Sequence, residues 1–170
     1  MNNKRLCSTA FAMLLCGLFC SQSLKAQNVA ETTAAQDAPI IVQKAPLSAE
    51  KLAAAEKKLL GKHMFSLQWV SWEQFGTAVV KRGTQGLEIE AKQEVNGDFA
   101  TLKGSIEIID ESAFNFTGEI ITKVYHINRG EACKREGTFE FRATGKRKYW
   151  RMQQMDNPCD QATDYIDVFF

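Results

Sequence analysis

From Gly137 to Phe170 the chain alternates apolar and polar residues so regularly that antiparallel strands are the arrangement that satisfies it. Phe139, Phe141 and Ala143 alternate with Thr138, Glu140 and Arg142, the period of two expected of a half-buried strand. Thr144-Gly145-Lys146 then turns the chain. In the next strand Trp150 and Met152 share one face, with Tyr149, Arg151 and Gln153 on the other. After a loop carrying Pro158 and Cys159, the last strand sets Ile166 and Val168 against Tyr165, Asp167 and Phe169. Pairing Met152 with Ile166 places Trp150 beside Val168 and Arg151 opposite Asp167. In that register the apolar faces agree, and so do the charges.

The beginning of the chain reads as an address rather than as part of the fold. Lys4 and Arg5 precede the apolar run from Leu6 to Phe19, which is too short to span a membrane as a helix. Residues 1–26 are therefore expected to be a secretory signal cleaved after Ala26, directing the protein to the periplasm or the exterior. The alternative is a lipid anchor at Cys20, against which Phe19 stands where a small residue is wanted. Cleavage removes Lys4, Arg5 and Lys25 and no acid, so 21 basic residues become 18 against 20 acidic ones, a net charge of −2. That balance calls for neither nucleic acid nor an acidic membrane surface as partner. It also leaves no transmembrane span in the mature chain.

Of five cysteines, Cys7, Cys16 and Cys20 lie within the signal, leaving Cys133 and Cys159. In an exported chain two cysteines are most simply a disulfide. Two strands separate them, so their loops emerge at the same end of the sheet, and a bridge there ties the last three strands together. A metal site wants more ligands at closer spacing, and no motif calls for a cofactor.

Residues 27–47 are rich in Ala, Thr, Gln and Asp and read as a flexible tether. The remaining residues, 48–170, form the expected domain. Ser48 caps a helix from Ala49 to Leu60, closed by Gly61, with Leu52, Leu59 and Leu60 on its apolar stripe. Everything after Gly61 reads as strands, about eight at the spacing of an all-β barrel or sandwich. The first runs from His63 to Val70 with Phe65, Leu67 and Trp69 on one face. Asn96-Gly97 is the strongest hairpin signal. The fifth strand, Phe114 to Asn128, is expected to be the longest. Gly104 and Gly118 fall on apolar faces, where strongly curved sheets relieve crowding, so closure into a small barrel is favoured over a flat sandwich. Short connections make it an antiparallel meander.

A short helix followed by L-L-G-K-H-M-F-S-L-Q-W at 59–69, and then about eight meandering strands, resembles the small calycin or lipocalin-like barrels of secreted bacterial proteins. The G-x-W opening common in that family is absent: His63 stands two residues after Gly61, and the nearest tryptophan is Trp69. The tripeptide T-D-Y, at Thr163-Asp164-Tyr165, falls too near the end to play the family's part and is read as chance. The resemblance implies architecture and no particular function.

His63 and His126 are the only histidines, and neither has a nucleophile-elbow context. Glu88, Glu90 and Glu107 alternate with apolar residues and belong on solvated faces. No enzyme is expected. The most pointed polar constellation is Arg151 with Asp167, flanked by Tyr149, Gln153 and Tyr165. It reads either as an outer-face ion pair or as a ligand clamp lining a cavity. The apolar set Trp150, Met152, Ile166 and Val168 favours the ion pair, because that set claims the inside. Trp69, Trp72 and Phe75 are expected to serve as core and plug, and Lys134-Arg135 and Lys146-Arg147-Lys148 as solvated charges at opposite ends. The leading expectation is a non-catalytic exported module holding a small apolar or amphipathic ligand inside the barrel. The alternative is a structural or interaction module of the cell envelope, with a filled core and a protein partner on its outer face.

Overall fold

A computed structural model describes residues 46–170 of the chain. The expected signal and the tether up to residue 45 lie outside the described residues. The helix α1 spans Ala49–Leu59 and starts where expected, with the Ser48 side chain accepting from the Lys51 N–H at 3.4 Å. Glu50 in its first turn and Lys57 and Lys58 in its last complement the helix dipole. Only Ala55 and Leu59 are buried, and Leu52, expected on the apolar stripe, is exposed. The helix meets the barrel along one narrow stripe, Lys51 pairing with Glu111 and Ala55 and Leu59 buried. His63 fixes the C-terminal end of the helix, its two ring nitrogens facing the Leu59 and Phe169 carbonyls at 2.7 and 2.9 Å.

Eight antiparallel strands follow: β1 Gly61–Leu67, β2 Gly76–Gly83, β3 Gly86–Val95, β4 Asp98–Asp110, β5 Ala113–Lys123, β6 Cys133–Arg142, β7 Tyr149–Met152 and β8 Ile166–Phe169. Each pairs with the next, and β8 returns to β1 through Phe65–Val168, Ser66–Asp167 and Leu67–Ile166, closing the barrel. The register read from the last strands holds: Trp150 lies beside Val168 and Arg151 opposite Asp167. Asn96 and Gly97 both take positive φ, 54° and 92°, as a tight hairpin whose twist matches its strands requires.

Two strand boundaries differ from the sequence reading. β1 stops at Leu67, so Trp69 lies in the following turn, partly buried against the core. β5 ends at Lys123, and the longest strand is β4, with 13 residues. The alternation in β5 runs on through Val124, but its neighbour β6 begins opposite Thr122. With no strand to pair, the chain turns instead, Asp98 accepting from the Tyr125 N–H and Asn128 and Arg129 taking left-handed φ. His126 therefore sits in an exposed turn and not at a strand end.

The interior is filled with rings. Phe65, Phe114, Phe116, Phe141 and Trp150 are each at most 2% exposed. Phe114 stacks on Phe141 at 5.1 Å and meets Trp150 edge-on at 5.7 Å. Phe139 packs against the same core from a partly buried position. The space for them comes from Gly104 and Gly118, which pair across β4 and β5. A Cβ on Gly118 would stand 2.8 Å from the Phe116 ring, and one on Gly104 would stand 2.7 Å from it. Phe116 thus occupies the volume that these positions leave empty, and the sheet curves tightly there.

Gly118→Ala is expected to destabilise the domain by about 1–3 kcal/mol through overpacking against the Lys103 carbonyl and Gly104 backbone of β4 and against the Phe116 ring. Ser105→Ala, on the neighbouring outward position, should change stability by less than about 0.5 kcal/mol. Urea unfolding of both variants checks this. An unchanged midpoint for Gly118→Ala would mean that the β4 backbone and the ring can both yield.

Candidate functional site

Strand parity sends Tyr149 and Arg151 of β7 and Asp167 and Phe169 of β8 to the outside of the barrel, since Trp150, Met152, Ile166 and Val168 fill the inside. Arg151 and Asp167 meet there as a two-pronged fork, Nε to Oδ1 at 2.8 Å and Nη2 to Oδ2 at 2.6 Å. Although it faces outward, the pair is sheltered: the side chains are 14% and 1% exposed. The guanidinium lies 4.2 Å from the Tyr165 ring centroid and 5.1 Å from that of Tyr149, so the tyrosines cover it. Hydrogen bonding to Asp167 holds the Arg151 guanidinium further toward its charged form than usual, against the opposing effect of burial. Of the five expected residues, Tyr149, Arg151, Tyr165 and Asp167 come together. Gln153 lies exposed past the end of β7, donating to the Arg151 carbonyl at 2.7 Å.

The outer face expected from the sequence for a protein partner, Tyr149, Arg151, Asp167 and Phe169, is extended in the fold by Phe75. Phe169 packs on Tyr149 at 5.3 Å and on Phe75 at 5.2 Å, so rings run from Phe75 to Tyr149, and the Arg151 guanidinium joins them to Tyr165. Phe75 is 41% and Trp72 53% exposed, against the expectation that both belong to core and plug. Of that trio only Trp69 serves as a plug, its indole N–H donating to the Thr163 carbonyl at 3.2 Å. The β1–β2 loop is held from below by Gln93, which continues the inward set Leu87, Ile89 and Ala91 and is 1% exposed. Its amide accepts from the Leu67 N–H and donates to the Ser71 and Gln74 carbonyls. With its own hydrogen bonds satisfied inside the barrel, Gln93 fixes the loop that carries Trp72 and Phe75 outside.

A second polar group lies at the barrel end opposite the helix. Arg135, expected as a solvated charge, shares the inward parity of Phe139 and Phe141 and is 7% exposed. Its Nη2 meets Asp164 Oδ2 at 2.7 Å, and Asn157 donates to the same oxygen at 3.1 Å. Burial pushes the Asp164 carboxyl up and the Arg135 guanidinium down from their ordinary values, so desolvation outweighs mutual attraction for both. Cys133 and Cys159 are bonded beside this pair, with Cα atoms 5.9 Å apart. Closing a loop of 26 residues contributes about 3 kcal/mol in the chain-entropy account. Bridge and ion pair together fasten the β7–β8 loop over that mouth of the barrel. This group is sealed and has structural work to do; the outer aromatic row is accessible.

Residues 46–170 match the model of the PM1083 family. The protein named "Uncharacterized protein PM1083" of Pasteurella multocida (strain Pm70) is 60% identical over 121 residues, covering 71% of this chain and 79% of that relative. No solved structure matches.

Asp164→Leu strands the Arg135 charge without a partner and is expected to cost about 3–5 kcal/mol. Adding Arg135→Met should recover most of that loss, because the remaining pair is apolar. A double-mutant cycle by urea unfolding, with the disulfide intact, measures this coupling. Simply additive losses would place the role of these residues elsewhere.

Proposed function

The chain belongs to the PM1083 family, and on the geometry above we propose that it is an exported, non-catalytic module that acts through the outer face of a filled barrel. The observation that carries this reading is the packing of the interior. An eight-stranded barrel has room either for side chains or for one small ligand. Here Phe65, Phe114, Phe116, Phe141 and Trp150 take that room, which supports the filled alternative over an enclosed apolar ligand. The likeness to lipocalin-like barrels is then one of architecture.

The outer face has the composition of a protein-binding surface. Tyr, Trp and Arg dominate the energetic centres of interfaces, where they lose little conformational freedom on binding. Arg151 is already held by Asp167 and stacked between Tyr149 and Tyr165, so it is ordered in advance. Phe75 and Phe169 extend the row, with Trp72 exposed in the same loop as Phe75. An envelope protein with an apolar recess is the partner this row fits.

Export is supported by the signal-like start of the chain and by the bonded Cys133–Cys159 pair, which suits an oxidising compartment. Among the described residues no helix is long and apolar enough to cross a membrane. The non-catalytic reading is supported by the histidines: His63 faces two backbone carbonyls, and His126 lies in an exposed turn against Trp69 and Tyr125.

Site-specific photo-crosslinking in the native host tests the reading. A benzophenone side chain at Phe75 should give one discrete protein adduct, and the same group at Glu90, outside β3, should give none. Tyr149→Ala with Phe169→Ala should abolish the adduct while the melting temperature stays within a few degrees. Equal adducts at both positions, or none at Phe75, would remove the outer row as the working surface.

A further inference from the structure

Two clefts adjoin at the helix end of the barrel. One, of about 450 Å³, is lined by Lys58, Lys62, His63, Met64, Phe169 and Phe170. The other, of about 470 Å³, shares Lys58 and Phe170 and continues past Ser112 and Gly145 to Lys146, Arg147 and Lys148. Each is within the size range of small-molecule sites. Neither lining contains an acidic side chain. The contrast with the rest of the surface is direct. Lys51 pairs with Glu111, Lys92 with Glu94, and Lys134 with both Glu119 and Glu136.

Two of the cleft cations, Lys58 and Arg147, stand over rings instead. The Lys58 ammonium lies 3.2 Å from the Phe170 ring centroid and 5.0 Å from that of Trp150, and the Arg147 guanidinium lies 5.6 Å from Tyr149. Burial, and then repulsion from Lys148, lowers the pKa of Lys58 from its ordinary value. Two ammoniums thus share a space that an anion would neutralise, with charge-assisted hydrogen bonds on both sides. The walls beyond them are apolar: Phe169, Phe170 and Met64, the last 50% exposed on the outside of β1. A purely hydrophilic anion would leave those walls wet, and a neutral apolar molecule would leave the charges unmatched.

We propose that the two clefts form one site for an anionic amphiphile, a carboxylate or phosphate headgroup on an alkyl chain. The headgroup lies between Lys58 and Lys148, and the chain follows Phe170 and Phe169 to Met64. This site goes beyond the protein-facing row, touching it at Phe169 and, through Arg147, at Tyr149. It also places an amphipathic ligand outside the barrel, where unpaired lysines and apolar surface adjoin.

Calorimetric titration of the mature protein with dodecyl phosphate, below the concentration at which it forms micelles, tests the site. One equivalent should bind, with affinity that falls as salt is raised. Lys58→Gln with Lys148→Gln should weaken binding by about tenfold or more, while Lys123→Gln, an exposed lysine at the other end of the barrel, should leave it unchanged. Inorganic phosphate and dodecanol should each bind at least about tenfold more weakly than the amphiphile, because each supplies half of the match. Vesicles of phosphatidylglycerol form the last arm. Binding to vesicles without binding to monomeric amphiphile would overturn the site in favour of a membrane surface. No saturable binding, or undiminished binding by the double variant, would also overturn it. Crosslinking at Phe75 should be unaffected by the two lysine substitutions, so the outer row stands or falls separately.

Discussion

The structure depends on how a barrel of only eight strands comes to hold so many large rings. Strand closure fixes the interior volume, and packing at protein density leaves no slack for an extra methylene. Gly104 and Gly118 face each other across β4 and β5, and Phe116 lies where their side chains would have been. The ring then meets Phe141, which stacks on Phe114, which meets Trp150. Small and large residues are thus matched across neighbouring strands. The curvature that closes the sheet and the volume that admits the rings come from the same positions.

A filled interior must still be shut from water at both mouths, and the two ends use different chemistry. At one end α1 docks by Leu59 and is tied through His63 to β1 and β8. At the other, the β7–β8 loop is fastened by Cys133–Cys159 and by the Arg135–Asp164 pair. The covalent bridge constrains the unfolded chain, whereas the ion pair is expensive to bury and fixes the loop in one position. The mouths are sealed, and chemistry that meets other molecules is displaced to the outside. There the Arg151–Asp167 fork and its tyrosines, and the lysines around Phe170, are the prominent groups.

Much of this was legible in the residues. Alternation alone located the strands, and the match of Arg151 to Asp167 together with Trp150 to Val168 set the register of the closing hairpin, because a slip of one residue would have broken both. Gly104 and Gly118 announced curvature. The loops were less legible, since no periodicity constrains them: Trp72 and Phe75 look like core by composition, and only the fold shows them on the surface. Arg135 shows a different difficulty. Its parity with Phe139 and Phe141 pointed inward, but a lone arginine next to a lysine reads as solvated until Asp164 is brought to it across 29 residues. The fifth strand ends before its pattern does, because alternation persists to Val124, whereas a strand persists only while a neighbour pairs with it. The basic clefts are not legible in the sequence because Lys58 and Lys148 are far apart in the chain and converge only through closure of the barrel.

The central claim is that the inside of this barrel is occupied by its own side chains, so that what it binds, it binds outside. Crystals of the folded domain under xenon pressure test it most directly, because xenon enters apolar space that water leaves empty. The account predicts no xenon atom enclosed between Phe65, Phe116 and Phe141 in the natural protein, and one at the vacated ring position in Phe116→Ala. Xenon, or an enclosed ligand, inside the natural barrel would contradict it and return the function to the interior.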